Sequence, residues 1–477
     1  MGQTRKVGEM RGNTGWEYHP YRPAHKMAEA NLPFICRLAP NESAIELEWF
    51  DKGCPGPHIL KWREKGRDRP WCTKSVDEAR LCIDGLEKGR NYELCIERKD
   101  KSWKSSAIRL ARTGSVPGQV INYLHPEDRL YAFSGRALCS PSIVKLPSGS
   151  LLVSMDLFAS GAPQNLTLLF RSDDRGKTWY YVTDLFPCYW GTLFVHRNRL
   201  YMLGCSTEYG DILIGVSDDD GDTWSQPARL FSGSGSSLSA GWGRAPLPMV
   251  IKDGRLFASV DYGAWKEGGH AIGVISVPED ADLLDSPNWT CSDLTAYDPS
   301  WPGAPRGRST GLLEGNMVIG KDGRLLDLLR IGLTACDPGY GVAVLLEANP
   351  EHPESRPVFH RFIDMPGGSN SKSYILFDSV SNCYFAIGNI CVDPSTPGQR
   401  NVLALQASQD LYHWKTVRIL MDYREEDPAK VGFQYITFLI DEKDIFYVSR
   451  TSMNGSGNFH DANYITFHVI ENFRKYT

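Results

Sequence analysis

A carboxylate and a guanidinium, Glu314 and Arg330, bracket the string EGNMVIGKDGRLLDLLR. The string reads as two strands joined by an Asp-Gly turn, so both charges belong to the same end of one hairpin. Tyr435 and Arg450 stand at the matching ends of QYITFLIDEKDIFYVSR. Further on, His460 precedes Asp461, a carboxylate able to choose the tautomer of the imidazole; an adjacent pair of this kind can equally staple a long loop. Asp156 closes another second strand, Arg244, Lys372 and Gln434 enter first strands, and Trp190 and Tyr209 add aromatic planes. Such a mixture suits a sugar, because hydroxyls and carboxylates need oriented donors while ring faces stack on aromatic planes. Glu314, Tyr435, His460 and Asp156 are the candidates for catalysis and the others for substrate binding. Each also has an ordinary reading: Glu314 bonding a neighbouring strand, Tyr435 packed as an aromatic, Arg330 and Arg450 in rim ion pairs, Lys372 in solvent.

These residues lie far apart in sequence, so a repeating architecture has to gather them. From about residue 115 a strand, a tight turn and a second strand recur six times, as SIVKLPSGSLLVSMD (142–156), TLFVHRNRLYMLGC (192–205), PLPMVIKDGRLFASVD (246–261), EGNMVIGKDGRLLDLLR (314–330), SYILFDSVSNCYFAIGN (373–389) and QYITFLIDEKDIFYVSR (434–450). Each is followed by another strand, such as LTLLF or DILIGV. Units that cannot bury both faces alone predict a closed ring of sheets, an all-β, six-bladed β-propeller whose first strands line a central channel. Ser172, Asp174, Gly176, Thr178 and Trp179 fit the pattern S-x-D-x-G-x-T-W, as do Ser217, Asp219, Gly221, Thr223 and Trp224, with a degenerate copy at Ser408, Asp410 and Trp414. Its chemistry is structural: the carboxylate bonds the turn backbone, glycine permits positive φ and tryptophan plugs the sheet. A calcium loop of EF-hand type would need a glutamate that is absent.

Before this array, residues 1–31 read as a polar extension. Residues 32–114 show a sandwich rhythm, with strands expected at 44–50, 58–63, 79–83 and 92–98. The string LEKGRNY, framed by Leu86 and Tyr92, resembles the tyrosine corner of fibronectin type III modules, with Trp49 and Trp62 where such modules fill their core. The expected division is therefore an extension, a fibronectin-like β-sandwich at 32–114 and the propeller at 115–477.

Composition narrows the partners. A chain of 477 residues with 57 acidic and 52 basic side chains carries a formal charge of -5, too weak a field to predict nucleic acid or an anionic membrane. No run approaches a membrane span, and the N-terminus lacks the apolar core of a signal peptide, so the expected location is the cytoplasm. The 12 cysteines are scattered singly, without zinc-like spacing, so neither a metal nor another cofactor is expected. The expected partner is an oligosaccharide or glycan; oligomeric state has no sequence signal.

On the S-x-D-x-G-x-T-W copies, known as Asp-boxes, and on Glu314, Arg330 and Tyr435, the chain resembles the sialidase superfamily. The string HDANYITFHVIENF, with VGFQYITF before it, resembles a sialidase-like group without an established substrate. The resemblance implies that Glu314 activates Tyr435 as the nucleophile and that Arg330 belongs to a cluster of three arginines gripping a substrate carboxylate. A neutral phenol suits an anomeric carbon bearing a carboxylate, since an anionic nucleophile would be repelled. Two departures stand out. Where the family opens its first blade with R-I-P, this chain has Cys139, Ser140 and Pro141, and residues 157–170 hold no carboxylate where the family keeps its proton donor. The expectation is an exo-acting glycoside hydrolase that recognises a terminal acidic sugar without being an ordinary sialidase. A lyase acting beside a uronate, with His460 or Tyr435 as base, and a non-catalytic glycan-binding propeller are the alternatives.

Overall fold

Alternating apolar positions and Asp-Gly pairs make the local structure: Gly254 and Gly323 turn their hairpins at φ 74° and 84°, values that a Cβ would oppose. The computed structural model describes residues 33–51, 57–99, 105–234, 240–266, 268–337, 341–368, 371–396 and 398–477, so the extension expected over 1–31 lies outside the described residues. Among these the protein is all-β, with two 3-10 turns and no α-helix.

Six antiparallel sheets follow one another. Blade 1 is Ala137–Lys145, Leu151–Phe158, Thr167–Ser172 and Tyr180–Leu185, and blade 2 is Tyr189–His196, Arg199–Cys205, Ile212–Ser217 and Ala228–Phe231. In blade 3 the inner strand is broken between Gly241–Gly243 and Val250–Lys252, both of which pair with Arg255–Gly263, and His270–Pro278 follows outside. Pro246 and Pro248 cause the break, because neither can donate to a ladder. Blade 4 is Leu313–Ile319, Leu325–Arg330, Val342–Ala348 and Val358–Asp364; blade 5 is Tyr374–Asp378, Cys383–Asn389, Val402–Ser408 and Trp414–Asp422. Blade 6 takes Gly432–Asp441, Asp444–Ser452 and Tyr464–Ile470 from the C-terminal end and Gln119–Tyr123 from far upstream as its outer strand.

Every junction between successive blades is hydrogen-bonded near the channel. Ser142 Oγ accepts from Leu193 N at 3.0 Å, and Thr192 Oγ1 from Leu247 N at 3.2 Å. Ser259 Oγ donates to Asp327 at 2.7 Å, and Asn316 Oδ1 accepts from Ile375 N at 3.1 Å. Lys372 Nζ donates to Ile436 O at 2.6 Å, and Thr437 Oγ1 to Pro141 O at 3.1 Å, which returns the chain to blade 1. The ring is a closed β-propeller.

The two full S-x-D-x-G-x-T-W segments share one network. Asp174 Oδ1 accepts from Thr178 N and Asp219 Oδ1 from Thr223 N, both at 2.8 Å, while Trp179 and Trp224 donate to Gly176 O and Gly221 O. In the third copy Trp414 donates to Leu411 O, and Leu411 adopts φ 71° where the others carry glycine.

Upstream of the ring, the sheet of Phe34–Pro40, Ile45–Phe50 and Arg80–Ile83 faces that of Cys72–Val76, His58–Glu64, Asn91–Arg98 and Arg109–Arg112 across a core holding Leu38, Leu47, Trp49, Leu60, Leu94 and Ile96. Cys72–Val76, a mostly exposed strand, has no apolar alternation for the sequence to reveal. Tyr92 Oη accepts from Glu87 N at 3.0 Å. The sheets are bolted to the outer strand of blade 6 and to the connection that follows it: Arg37 Nε donates to Ile121 O at 2.7 Å, and buried Arg109 pairs with buried Asp128 at 2.6 Å.

Candidate active site

On the inner strand of four blades a single residue sits at positive φ: Ser140 (45°), Trp190 (53°), Glu314 (54°) and Tyr435 (53°). At each the register against the second strand slips, as a β-bulge requires. The residue before the bulge pairs with the inward end of the second strand: Cys139 with Asp156, Tyr189 with Cys205, Leu313 with Arg330, and Gln434 with Arg450. Gly243 pairs with Asp261 in blade 3, giving Arg244 the corresponding place. A bulge re-aims the side chain it carries, and Trp190, Arg244, Glu314 and Tyr435 all line one cavity of about 390 Å³.

Bulging also frees a backbone N–H, which a buried site cannot leave unpaired. Trp190 N donates to Asp156 Oδ2 at 2.8 Å, and Glu314 N to Asp261 Oδ1 at 3.0 Å, each across to the preceding blade. Burial pushes Asp156 up to about 8 against the bonds from Thr167 and Trp190 and the charge of Arg450. Burial and the neighbouring Glu314 charge hold Asp261 well above the usual carboxylate range.

Glu314 Oε2 meets Arg330 Nη1 at 3.1 Å. Tyr435 lies against the same pair: burial and the Glu314 charge raise its phenol, while Arg330, Arg450 and Arg400 oppose them. The Arg450 guanidinium stands 5.1 Å from the Tyr435 ring centroid and 5.3 Å from that of Phe158. Its Nη2 donates to His460 O, and its charge, with burial, brings the His460 imidazole down to about 4 despite a 3.0 Å contact with Asp461. Buried Arg244 donates through Nη1 to Leu203 O, leaving Nε and Nη2 without partners; Arg450 Nε and Arg330 Nε are likewise unpartnered. On the other wall, Tyr209 Oη lies 3.0 Å from His270 Nε2, and His270 Nδ1 lies 3.1 Å from Thr310 O. If Nδ1 carries the proton to that carbonyl, Nε2 accepts from the phenol.

Of the residues singled out in the sequence, Glu314, Tyr435, His460, Arg450, Arg244, Trp190 and Tyr209 line the cavity. Five lie outside the lining. Asp156 is 1% exposed and occupied with Thr167 and Trp190 N. Arg330 stands behind Glu314, and Asp461 bonds His460 and Asn458. Gln434 donates to Phe459 O, and Lys372 is buried in the junction of blades 5 and 6, where burial lowers its ammonium to about 7. The cavity adds Glu208, Gln164, Trp265 and His270, and Arg400 stands within the charge field of Tyr435. Gln164, Glu208 and Arg400 all lie in loops between second and third strands, and nothing in the repeat picks them out from their neighbours there. Among the described residues no cluster of three or more histidines, cysteines or carboxylates could hold a metal ion.

No protein-family model matches the chain, and no curated protein matches it. Solved structures do. A leech intramolecular trans-sialidase, determined with 2,7-anhydro-Neu5Ac, aligns at a TM-score of 0.50 and 10% identity over 93% of this chain and 92% of its own. A Penicillium chrysogenum α-L-arabinanase complexed with arabinobiose aligns at 0.48 and 14%, over 75% of this chain and 98% of its own. The Hadza microbial sialidase Hz136 aligns at 0.46 and 12%, over 92% and 95%. At 10% identity the likeness to the leech trans-sialidase is one of fold, and it extends over nearly the full length of both chains.

Proposed function

We propose that this protein is a glycoside hydrolase that releases a terminal acidic sugar, with Tyr435 as nucleophile and Glu314 as its base. The observation that carries the reading is the company of Tyr435: it lines one cavity with Glu314 and Arg450, whose guanidinium stands 5.1 Å from its ring centroid, and the charges of Glu314, Arg330, Arg450 and Arg400 all reach its phenol. A base next to a hydroxyl, with the base oriented by a third group, is the arrangement that activates a weak nucleophile. Arg330 supplies that orientation through its 3.1 Å bond to Glu314.

Arginines with unpartnered nitrogens support an anionic ligand, because buried donors normally have acceptors. Arg244 and Arg450 both line the cavity, and a sugar carboxylate would give their free N–H groups charge-assisted bonds. Trp190 and Tyr209 offer planes for a ring face. For elimination beside a uronate, His460 is a poor base, since a value near 4 leaves little drive to take a carbon-bound proton.

The test is a screen of 4-nitrophenyl glycosides of sialic, uronic and neutral sugars, together with acidic oligosaccharides, read by product mass. Release of a terminal acidic sugar with addition of one water supports the proposal. An unsaturated uronate product, or binding without turnover across the panel, overturns it.

A further inference from the structure

Hydrolysis by this route needs a proton for the departing alcohol, and residues 157–170 contain no carboxylate to give it. Resting on the hydrolase reading above, we infer that Glu208 is the general acid and base of this site, protonating the glycosidic oxygen and later deprotonating the attacking water. Glu208 leaves the second strand of blade 2 and lines the cavity. Its carboxylate is held from two sides: Gln164 Nε2 donates to Oε2 at 2.8 Å and Trp265 Nε1 to Oε1 at 2.9 Å. The Gln164 amide is itself oriented, because Tyr189 Oη donates to its Oε1 at 2.7 Å and turns the NH2 group toward Glu208. One donor on each oxygen leaves acceptor capacity on both. Three loops, from blades 1, 2 and 3, thus fix one acid in the cavity that Tyr435 of blade 6 and Glu314 of blade 4 also line.

The rim beside it suits the leaving group. Trp265 is 51% exposed, with its ring 4.7 Å from that of His270 in an edge-on contact, an open aromatic plane at the mouth of the pocket next to the carboxylate. A sugar on the leaving side can stack there while its glycosidic oxygen lies toward Glu208.

In the first half-reaction the Tyr435 oxygen bonds the anomeric carbon and passes its proton to Glu314. The bond from that carbon to the glycosidic oxygen breaks, and its electron pair takes the proton of Glu208. In the second half, Glu208 as carboxylate takes a proton from water, whose oxygen attacks the anomeric carbon. The bond to Tyr435 breaks, and the tyrosine oxygen recovers its proton from Glu314. The sum is glycoside plus water giving sugar plus alcohol.

The experiment compares Glu208→Gln with the unaltered protein on the methyl, 4-nitrophenyl and 2,4-dinitrophenyl glycosides of the sugar released in the screen. The expected result is a fall of about 100-fold or more in kcat/KM on the methyl glycoside, with a loss below about tenfold on the 2,4-dinitrophenyl glycoside, whose leaving group needs no proton. The basic limb of the pH profile should vanish in the variant. Thermal melting of the variant reports folding independently. Equal losses on all three glycosides, or an unchanged basic limb in Glu208→Gln, overturn the assignment of Glu208 while leaving the hydrolase reading in place. Absence of turnover by the unaltered protein removes that reading and this inference with it.

Discussion

The backbone N–H of Glu314 donates to the Asp261 carboxylate at 3.0 Å, from blade 4 across to blade 3. This bond exists because Glu314 occupies a bulge at φ 54°, where its N–H leaves the ladder. The same bond ties the aim of the Glu314 side chain to its neighbour, since a bulge without an acceptor for its freed N–H would tend to relax. Asp156 does the same for Trp190 between blades 1 and 2.

Replacing Asp261 separates acceptor from charge. Asp261→Ala strands the Glu314 N–H in a buried site and should cost about 1–3 kcal/mol in chemical denaturation. Because burial and Glu314 already favour the protonated carboxyl, Asp261→Asn keeps the needed acceptor and should retain most of the stability. Equal losses in the two variants would contradict the role.

Stability should respond to pH through Asp156. Thr167 Oγ1 lies within hydrogen-bonding distance of both Asp156 Oδ1 and Cys188 O, yet a hydroxyl has one proton. A protonated Asp156 satisfies both contacts by donating to Thr167, which then donates to Cys188 O. Its folded value of about 8 lies above the ordinary carboxylate value, so its stabilising contribution is full below about pH 4 and is lost as pH rises through about 8. Asparagine reproduces the protonated form, with oxygen toward Trp190 N and NH2 toward Thr167. Asp156→Asn should therefore lie within about 1 kcal/mol of wild type at pH 5 and be more stable by about 1–3 kcal/mol at pH 9. Urea unfolding at the two pH values measures it.

Tyr435→Phe should lower kcat by about 100-fold or more and abolish any covalent sugar adduct on the tryptic peptide bearing residue 435. Glu314→Gln should lower kcat on a similar scale while still binding product, because Arg244 and Arg450 remain. Wild-type kcat in either variant, measured on the glycoside found in the screen, would remove that residue from the chemistry.

The repeated turn network offers a test unconnected with catalysis. Trp179 is fully buried against Phe467 of blade 6, so Trp179→Ala should cost about 3–5 kcal/mol. Asp174→Ala removes only acceptors at a surface turn and should cost about 0.5–2 kcal/mol. A thermal melt that ranks them in the opposite order would contradict this reading.

Much of the fold was legible because its information is local. Each hairpin declares itself within some seventeen residues, as EGNMVIGKDGRLLDLLR does, and six such units with unsatisfied faces leave a closed ring as the natural arrangement. The pairing of Glu314 with Arg330 was legible for the same reason, being two ends of one hairpin. Asp156 and Lys372 were misleading in the sequence: an acid at a strand end and a lysine before a strand look available to a ligand. Burial beside Trp190 N and Ile436 O occupies them instead.

The amino-acid order by itself determined the strands, their turns and the six-fold count, since hydrophobic alternation, positive-φ glycines and side-chain caps act between residues close in the chain. Only the tertiary structure decided which loops meet: Gln164, Glu208 and Trp265 share hydrogen bonds, and Arg400 joins the field of Tyr435. Nothing in the spacing of those residues encodes that meeting. It follows from closing the ring, which sets the bulges of separate blades around one cavity and leaves freed N–H groups and unpartnered guanidinium nitrogens to define what the cavity can hold.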